Sequence, residues 1–399
     1  MDTLGLAGKA TNPRSKPTVN RVTLLQPSRI VLGNGCAPLC AEYLAQRGVR
    51  RVLLVSSTPV LPSLGAVAQV LKKADVAVVN APPVDGEPTC ARFEQMLAAS
   101  RRENIEAVLG IGGGSAMDVA KLLAALTRGT QTVTEVFGVN LLAGRALPLV
   151  CLPTTSGTGA EVSPNAILLD EAASLKKGVV SPHLVPDAAF IDPLLTLTVP
   201  PGVTAATGLD ALTHCIEAYA NTFAHPAVDI YASQGMRLIA AHLERAVRNG
   251  QDIEARAAMA LGSYYGGLCL GPVNTGAVHA LSYPLGGRFH IAHGVANALL
   301  LPHVIRFNTP AAPERYAEVA LALGAQRAGS VAATAERGVE FLAQLARNCG
   351  VPQTLSEIKI PRDAIPSMAQ AAMHVTRLLK NNLRPVTEPD AVAIYEAAF

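Results

Sequence analysis

Short apolar runs alternate with helical stretches along the first half of the chain. Residues 51–55, 76–79, 107–111 and 147–152 are compact runs of aliphatic and β-branched side chains bounded by turn residues, which predicts buried strands. Between them, 66–74 and 90–101 repeat apolar residues at helical spacing. Strand–helix–strand alternation predicts a parallel sheet covered on both faces. The texture changes at Pro200-Pro201. Beyond it, 205–221, 226–249, 252–270, 310–323 and 329–349 all read as helices. The pattern divides the chain into a loose polar arm (1–20), an α/β unit (21–200) and a helical unit (201–399). Residues 21–31 alternate apolar and polar side chains, as an edge strand facing a second subunit would.

Composition narrows the classes. The 399 residues suffice for two or three domains, and half of them are hydrophobic, so a large core is available. The balance of 33 basic to 30 acidic residues is too mild for a nucleic-acid binder, and no basic block stands out. No apolar run approaches the length of a membrane span, and the first twenty residues lack a signal-peptide core; a cytoplasmic protein is expected. Seven scattered cysteines without C-x-x-C spacing argue against a disulfide framework or a zinc finger and predict buried free thiols.

Two loops carry cofactor chemistry. In Ala107-Val-Leu-Gly-Ile-Gly-Gly-Gly-Ser115 a strand ends in three glycines and a helix follows. Bare N–H groups and a helix N-terminus together suit a pyrophosphate. The spacing matches neither the dinucleotide G-x-G-x-x-G nor a Walker A loop, so an empty tight turn is the alternative. Pro153-Thr-Thr-Ser-Gly-Thr-Gly-Ala-Glu161 is a second hydroxyl- and glycine-rich loop after a strand, suited to ribose and phosphates. In the helical half, Asp210 and His214 lie four apart on one helix face, and His279 and His293 follow. One carboxylate and three imidazoles make a full ligand set for a divalent transition metal, but the spacing is no zincin pattern, and hydrogen-bonded structural histidines are the competing reading. Of the other histidines, His225, His242 and His374 read as surface residues, His303 as packed, and His183 as part of a loop.

These motifs, in this order, resemble the iron-containing (group III) alcohol dehydrogenase family. The resemblance runs from about Arg29 to the C-terminal Arg384-Pro-Val-Thr, through GGGSAMDVAK (112–121), PTTSGTGAE (153–161), DALTHCIEAY (210–219) and HALSYPLGGRFHIAHGVANALLLPH (279–303). It implies a Rossmann-like α/β domain, an all-α C-terminal domain as in dehydroquinate synthase-like folds, and NAD or NADP with one divalent metal in the cleft between them, iron(II) foremost and zinc(II) as the alternative. By this resemblance Gly112, Gly113, Gly114 and Ser115 hold the pyrophosphate, with Asp118 and Lys121 in the same motif. Thr154, Thr155 and Thr158 line the cofactor groove, and Lys177 sits on its cofactor side. Asp210, His214, His279 and His293 are the metal ligands. The substrate is expected to be a short-chain alcohol or aldehyde and the assembly a homodimer.

Two departures matter. Many members carry a proton-relaying histidine where this chain has Tyr283, a phenol that titrates near ~10 and is a poor relay at neutral pH. We read Tyr283 as shaping the pocket. NAD-preferring members often place an acid after the second strand, where this chain has Ser57, so NADP stays open beside NAD. Arg288 lies between Tyr283 and His293; turned into the cleft it would pair with an anionic group on the substrate, and turned outward it would be solvated. The alternatives to a metal-dependent dehydrogenase are a metal-independent, maleylacetate-reductase-like enzyme and a dehydroquinate-synthase-like lyase.

Overall fold

The computed structural model describes residues 21–172 and 175–399; the polar arm 1–20 lies outside them. Nine strands are present among the described residues: β1 (Arg29–Leu32), β2 (Arg51–Val55), β3 (Ala77–Asn80), β4 (Ala107–Gly112), β5 (Gly138–Val139), β6 (Leu149–Pro153), β7 (Asn165–Asp170), β8 (Leu175–Val180) and β9 (Ala188–Ile191). Five helices accompany them: α1 (Leu39–Ala45), α2 (Gly65–Lys73), α3 (Cys90–Ser100), α4 (Gly114–Leu126) and α5 (Val133–Val136). From Pro201 onward the regular elements are helices: α6 (Pro201–Tyr219), α7 (Pro226–Arg248), α8 (Ile253–Leu270), α9 (Ala277–Phe289), α10 (His293–Asn308), α11 (Pro313–Leu323), α12 (Val331–Asn348), α13 (Ile365–Met373), α14 (Thr376–Leu379) and α15 (Glu388–Ala397).

The main sheet is parallel throughout, in the order β1-β9-β6-β4-β2-β3. Its central strands β4 and β6 are buried at every position, as expected of strands covered on both faces. One face packs on α3 and α4 through Phe93, Met96, Met117 and Leu123, the other on α1 and α2 through Tyr43, Leu44, Val67 and Leu71. Because β4 and β6 are neighbours in register, with Gly112 opposite Pro153, the two polar loops leave the sheet side by side, tied by the Thr154 N–H donating to the Gly112 carbonyl (2.9 Å). A second sheet, β5-β8-β7, rests on this end of the domain; its β7–β8 pair is antiparallel.

The helices share one continuous core in which α6 and α10 are nearly encircled by apolar neighbours. Among the described residues no helix is long and apolar enough to cross a membrane. All seven cysteines are free thiols; six are buried and Cys90 is half-buried.

The expected edge strand at 21–31 is shorter than its alternation suggests. Only Arg29–Leu32 joins the sheet, against β9, and residues 21–28 form no regular element. Backbone pairing needs a partner in register, and β9 offers only four positions.

Candidate active site

The glycine loop is shaped by close approach. Gly113 is the extended N-cap of α4, and Gly113, Gly114 and Ser115 remain partly open. A Cβ at Gly114 would fall 2.5 Å from Thr158 Cγ2, so only glycine lets the second loop press against the first. Thr155 lies beside Gly113, while Thr154 is buried. Gly114, Ser115, Asp118 and Thr158 form one wall of a cleft of about 150 Å³ that ends at Asp210, His214, His279 and His293.

Lys121 does not reach that cleft. It is fully buried, and its Nζ donates to the carbonyls of Ser163 (3.0 Å) and Asn165 (2.8 Å). Asp118 stands 3.8 Å away and accepts the Ile167 N–H (3.0 Å). Burial pushes Asp118 up to about 6, with Lys121 opposing, and pushes the Lys121 ammonium down. The pair fastens α4 to the start of β7 and so sets the cleft wall; Lys121 cannot touch a cofactor directly.

The four candidate ligands come from three helices. Asp210 and His214 lie one turn apart on α6. His279 lies on α9, which ends at His290 in the left-handed conformation, and the reversal places His293 as the first residue of α10. Around Asp210 Oδ1 stand the Nε2 atoms of His279 (3.5 Å), His293 (3.7 Å) and His214 (3.8 Å). Ligands at about 2.1 Å in a tetrahedral array stand about 3.4 Å from one another, so these spacings fit one divalent ion. The ligand atoms of Asp210, His279 and His293 lie within 4.8 Å of each other, and His214 stacks on His279 with ring centroids 4.8 Å apart. Only the His293 side chain is appreciably exposed, at 27%.

Two further residues complete the centre. Glu217, one turn beyond His214, accepts from His279 Nδ1 (2.6 Å) and from the Val278 N–H (2.6 Å). With the Nδ1 proton held there, His279 turns Nε2 toward Asp210. Burial pulls the imidazole down, but Glu217 and Asp210 outweigh it and raise the group to about 9, so a bound ion would take the place of the Nε2 proton. The Asn297 amide nitrogen meets Asp210 Oδ1 (2.7 Å), His279 Nε2 (3.1 Å) and His293 Nε2 (3.2 Å). Three acceptors converge on a donor with two hydrogens, a constellation suited to a cation. Burial opposes ionisation of Asp210, yet His214, His293 and His279 outweigh it and hold the carboxyl well below its usual range. Burial pushes the His293 imidazole well down, against the pull of Asp210. Asp210, His279 and His293 therefore fit a divalent transition metal in charge and spacing, with His214 stacked beside them as a fourth donor.

Several expected residues stand elsewhere. Arg288 is exposed and donates to Ser367 Oγ (2.5 Å), not into the cleft. Nine residues beyond His279 on one helix is two and a half turns, which turns it to the opposite face; Tyr283, four residues on, stays on the cleft side. Lys177 pairs with Asp170 (2.6 Å), and its predecessor Lys176 faces the cleft, paired with Glu87 (2.8 Å). On a strand, neighbouring residues take opposite faces. His225 is buried as the N-cap of α7, its Nδ1 accepting the Ala227 N–H (3.1 Å), so it is no surface residue. Ser57 sits at the end of β2, half-buried. Beside it the Asp85 carboxylate accepts from the Thr58 N–H (2.8 Å) and Oγ1 (2.6 Å), an acid that arrives from a different loop. Glu217, Asn297, Lys176, Glu87, Asp85 and Arg377 escape sequence reasoning; only Glu217, inside the DALTHCIEAY run, carried a readable signal, its helical spacing from His214.

Comparison with known proteins places this geometry. The family description "Iron-containing alcohol dehydrogenase" matches residues 27–193, and "Fe-containing alcohol dehydrogenase family, C-terminal" matches 204–399. Long-chain-alcohol dehydrogenase 1 of Geobacillus thermodenitrificans is 41% identical over 375 residues, covering 92% of this chain and 94% of that protein. Lactaldehyde reductase of Escherichia coli is 33% identical over 373 residues, covering 92% and 97%. The crystal structure of a 1,3-propanediol oxidoreductase superposes with a TM-score of 0.92 at 32% identity, over 95% of this chain and all of that one. The chain belongs to the iron-containing alcohol dehydrogenase family.

Proposed function

We propose that this enzyme is a metal-dependent, NAD-preferring alcohol dehydrogenase and aldehyde reductase for short substrates. The observation that carries the reading is the convergence of Asp210, His279 and His293, with His214 beside them, in a cleft whose other wall is the glycine loop. When bound, a divalent ion supplies Lewis acidity toward the substrate oxygen, and the nicotinamide gives or accepts hydride.

The chain's own residues do the positioning. The N–H groups of Gly113, Gly114 and Ser115 at the start of α4 hold the pyrophosphate, with Thr155 and Thr158 on the facing loop. Asp210 and the three histidines hold the ion, and Glu217 holds the His279 Nδ1 proton, which turns Nε2 toward the ion. Tyr283 is buried in the wall; burial raises its pKa, with Arg377 beside it opposing, so at neutral pH it is a phenol that donates a hydrogen bond. Protons exchange with water at the open His293 side. Asp85 supports a preference for NAD, because a carboxylate fixed at the end of β2 accepts ribose hydroxyls and repels a 2′-phosphate. The exposed Leu24, Leu25 and Leu32 at the β1 edge support a homodimer joined there.

The test is metal stripping with metal analysis. Chelation should abolish turnover of short alcohols with NAD, and iron(II) or zinc(II) should restore it. Asp210→Ala and His279→Ala should lose bound metal and activity together. Undiminished activity in metal-free protein would overturn the reading.

A further inference from the structure

Two basic side chains, Lys176 and Arg377, line the cleft, and the mechanism above gives neither a ligand. Lys176 is neutralised by Glu87 at 2.8 Å. Arg377, on the short helix α14, is half-buried in the same cleft and forms no ion pair with any described carboxylate. Its guanidinium passes over β8 at Gly178, where an added Cβ would lie 3.7 Å from its terminal nitrogen. It lines the cleft together with Tyr283, and its positive charge opposes the rise that burial gives the Tyr283 hydroxyl. A partly desolvated guanidinium costs free energy unless an anion answers it. Here its neighbour in the cleft lining is a neutral phenol, itself a second donor.

We infer that Arg377 and Tyr283 form a receptor for an anionic group at the far end of the substrate, so that the preferred substrate is a short aldehyde or alcohol carrying a carboxylate, sulfonate or phosphonate. This rests on the reading of the cleft as an alcohol dehydrogenase site.

The geometry sets the length. Tyr283 stands one helical turn from His279, and its ring centroid lies 6.2 Å from that of His293. At about 1.5 Å per bond, two or three carbons span the distance from the ligand cluster to Tyr283, beside which Arg377 lines the cleft. The three anions share negatively charged oxygens that a planar, five-donor guanidinium meets in pairs. The buried hydroxyl of Tyr283 adds a third donor. Arg377 thus has the part first expected of Arg288, from a segment distant in sequence.

Charged and neutral aldehydes of matched length decide the matter. 4-Oxobutanoate, sulfoacetaldehyde and phosphonoacetaldehyde are compared with butanal and propanal on the metal-loaded enzyme. At least one charged substrate should exceed its neutral counterpart at least tenfold in kcat/KM, chiefly through KM; which one identifies the anion. Arg377→Gln should lower the charged-to-neutral ratio about 30-fold, and Arg377→Lys should restore part of it. Tyr283→Phe should lower it severalfold. The KM for NADH should not follow the ratio. Calorimetric titration with butyrate, ethanesulfonate and ethylphosphonate gives a readout independent of turnover: at least one should bind the parent and lose affinity in Arg377→Gln. Equal efficiency on charged and neutral aldehydes, a ratio unmoved by Arg377→Gln, or an effect on NADH alone would overturn the proposal while leaving the dehydrogenase reading intact. Absence of turnover with every aldehyde would overturn that reading, and the titration would still decide the anion site.

Discussion

Replacing Glu217 by glutamine removes one negative charge from a buried site and nearly nothing else. The carboxylate accepts two hydrogen bonds of 2.6 Å, from His279 Nδ1 and from the Val278 N–H, and the residue is 6% exposed. A glutamine Oε1 can keep one of them, but its NH₂ faces a second donor. A hydrogen bond to a charged group is worth about 1.5–3 kcal/mol and a neutral one about 0.5–1.5, so the exchange costs roughly 1–1.5 kcal/mol at His279. That loss appears as metal affinity, because an imidazole without its anionic partner is a weaker base toward the ion. Roughly tenfold weaker binding is expected, at the low end of the 10–100-fold typical for such outer partners. The assay is competition for zinc(II) or iron(II) between the stripped protein and a chromophoric chelator, on Glu217→Gln and parent. With saturating metal, the variant should recover much of its kcat. Unchanged metal affinity would refute the reasoning, as would a kcat loss that metal does not relieve.

Three further outcomes follow from the same geometry. Burial lifts Glu161 to about 7, so between pH 5 and 7 the folded chain keeps a proton the unfolded chain releases; stability falls with rising pH by up to about 3 kcal/mol and levels off above 7. The Tm of Glu161→Gln relative to the parent should therefore climb from pH 5 to 8, and a difference constant with pH would remove this account. Gly114→Ala forces a Cβ to within 2.5 Å of Thr158; its NADH dissociation constant, followed by nicotinamide fluorescence, should rise at least ~10-fold, with partial recovery on adding Thr158→Ser, since the lost methyl is the closest clash. An unchanged constant would detach the loop from the cofactor. Asp85→Ser should raise the NADP-to-NAD ratio of kcat/KM about tenfold or more, and an unmoved ratio would mean that the ribose is read elsewhere.

The central sheet was legible because strands buried on both faces leave unbroken apolar runs, as β2, β4 and β6 do. The glycine loop and the Asp210–His214 pair were legible because local spacing dictates their geometry. The β7–β8 ribbon was hidden by Lys176-Lys177, one lysine buried and one exposed, a distinction that strand phase decides and composition does not. Helices α9 and α10 were hidden by internal Pro284 and Pro302, tolerated because burial on nearly every side outweighs the lost hydrogen bonds. Arg377 and Asp85 were illegible for a different reason: each meets its partners across a long stretch of chain, and no local pattern announces such a meeting.

The cysteines carry a consequence for handling and durability. Burial lifts the thiols of Cys36 and Cys349 to about 11 and those of Cys40, Cys151 and Cys215 to about 12. At neutral pH each is a thiolate for only about one part in ten thousand or less, and thiolate is the form that peroxides and alkylating agents attack. Burial and Asp170 raise the Cys90 thiol as well, but it alone is half-buried, so mild oxidants and maleimides should mark that position first and leave the core thiols untouched. The enzyme's melting temperature should therefore be the same with and without a reductant.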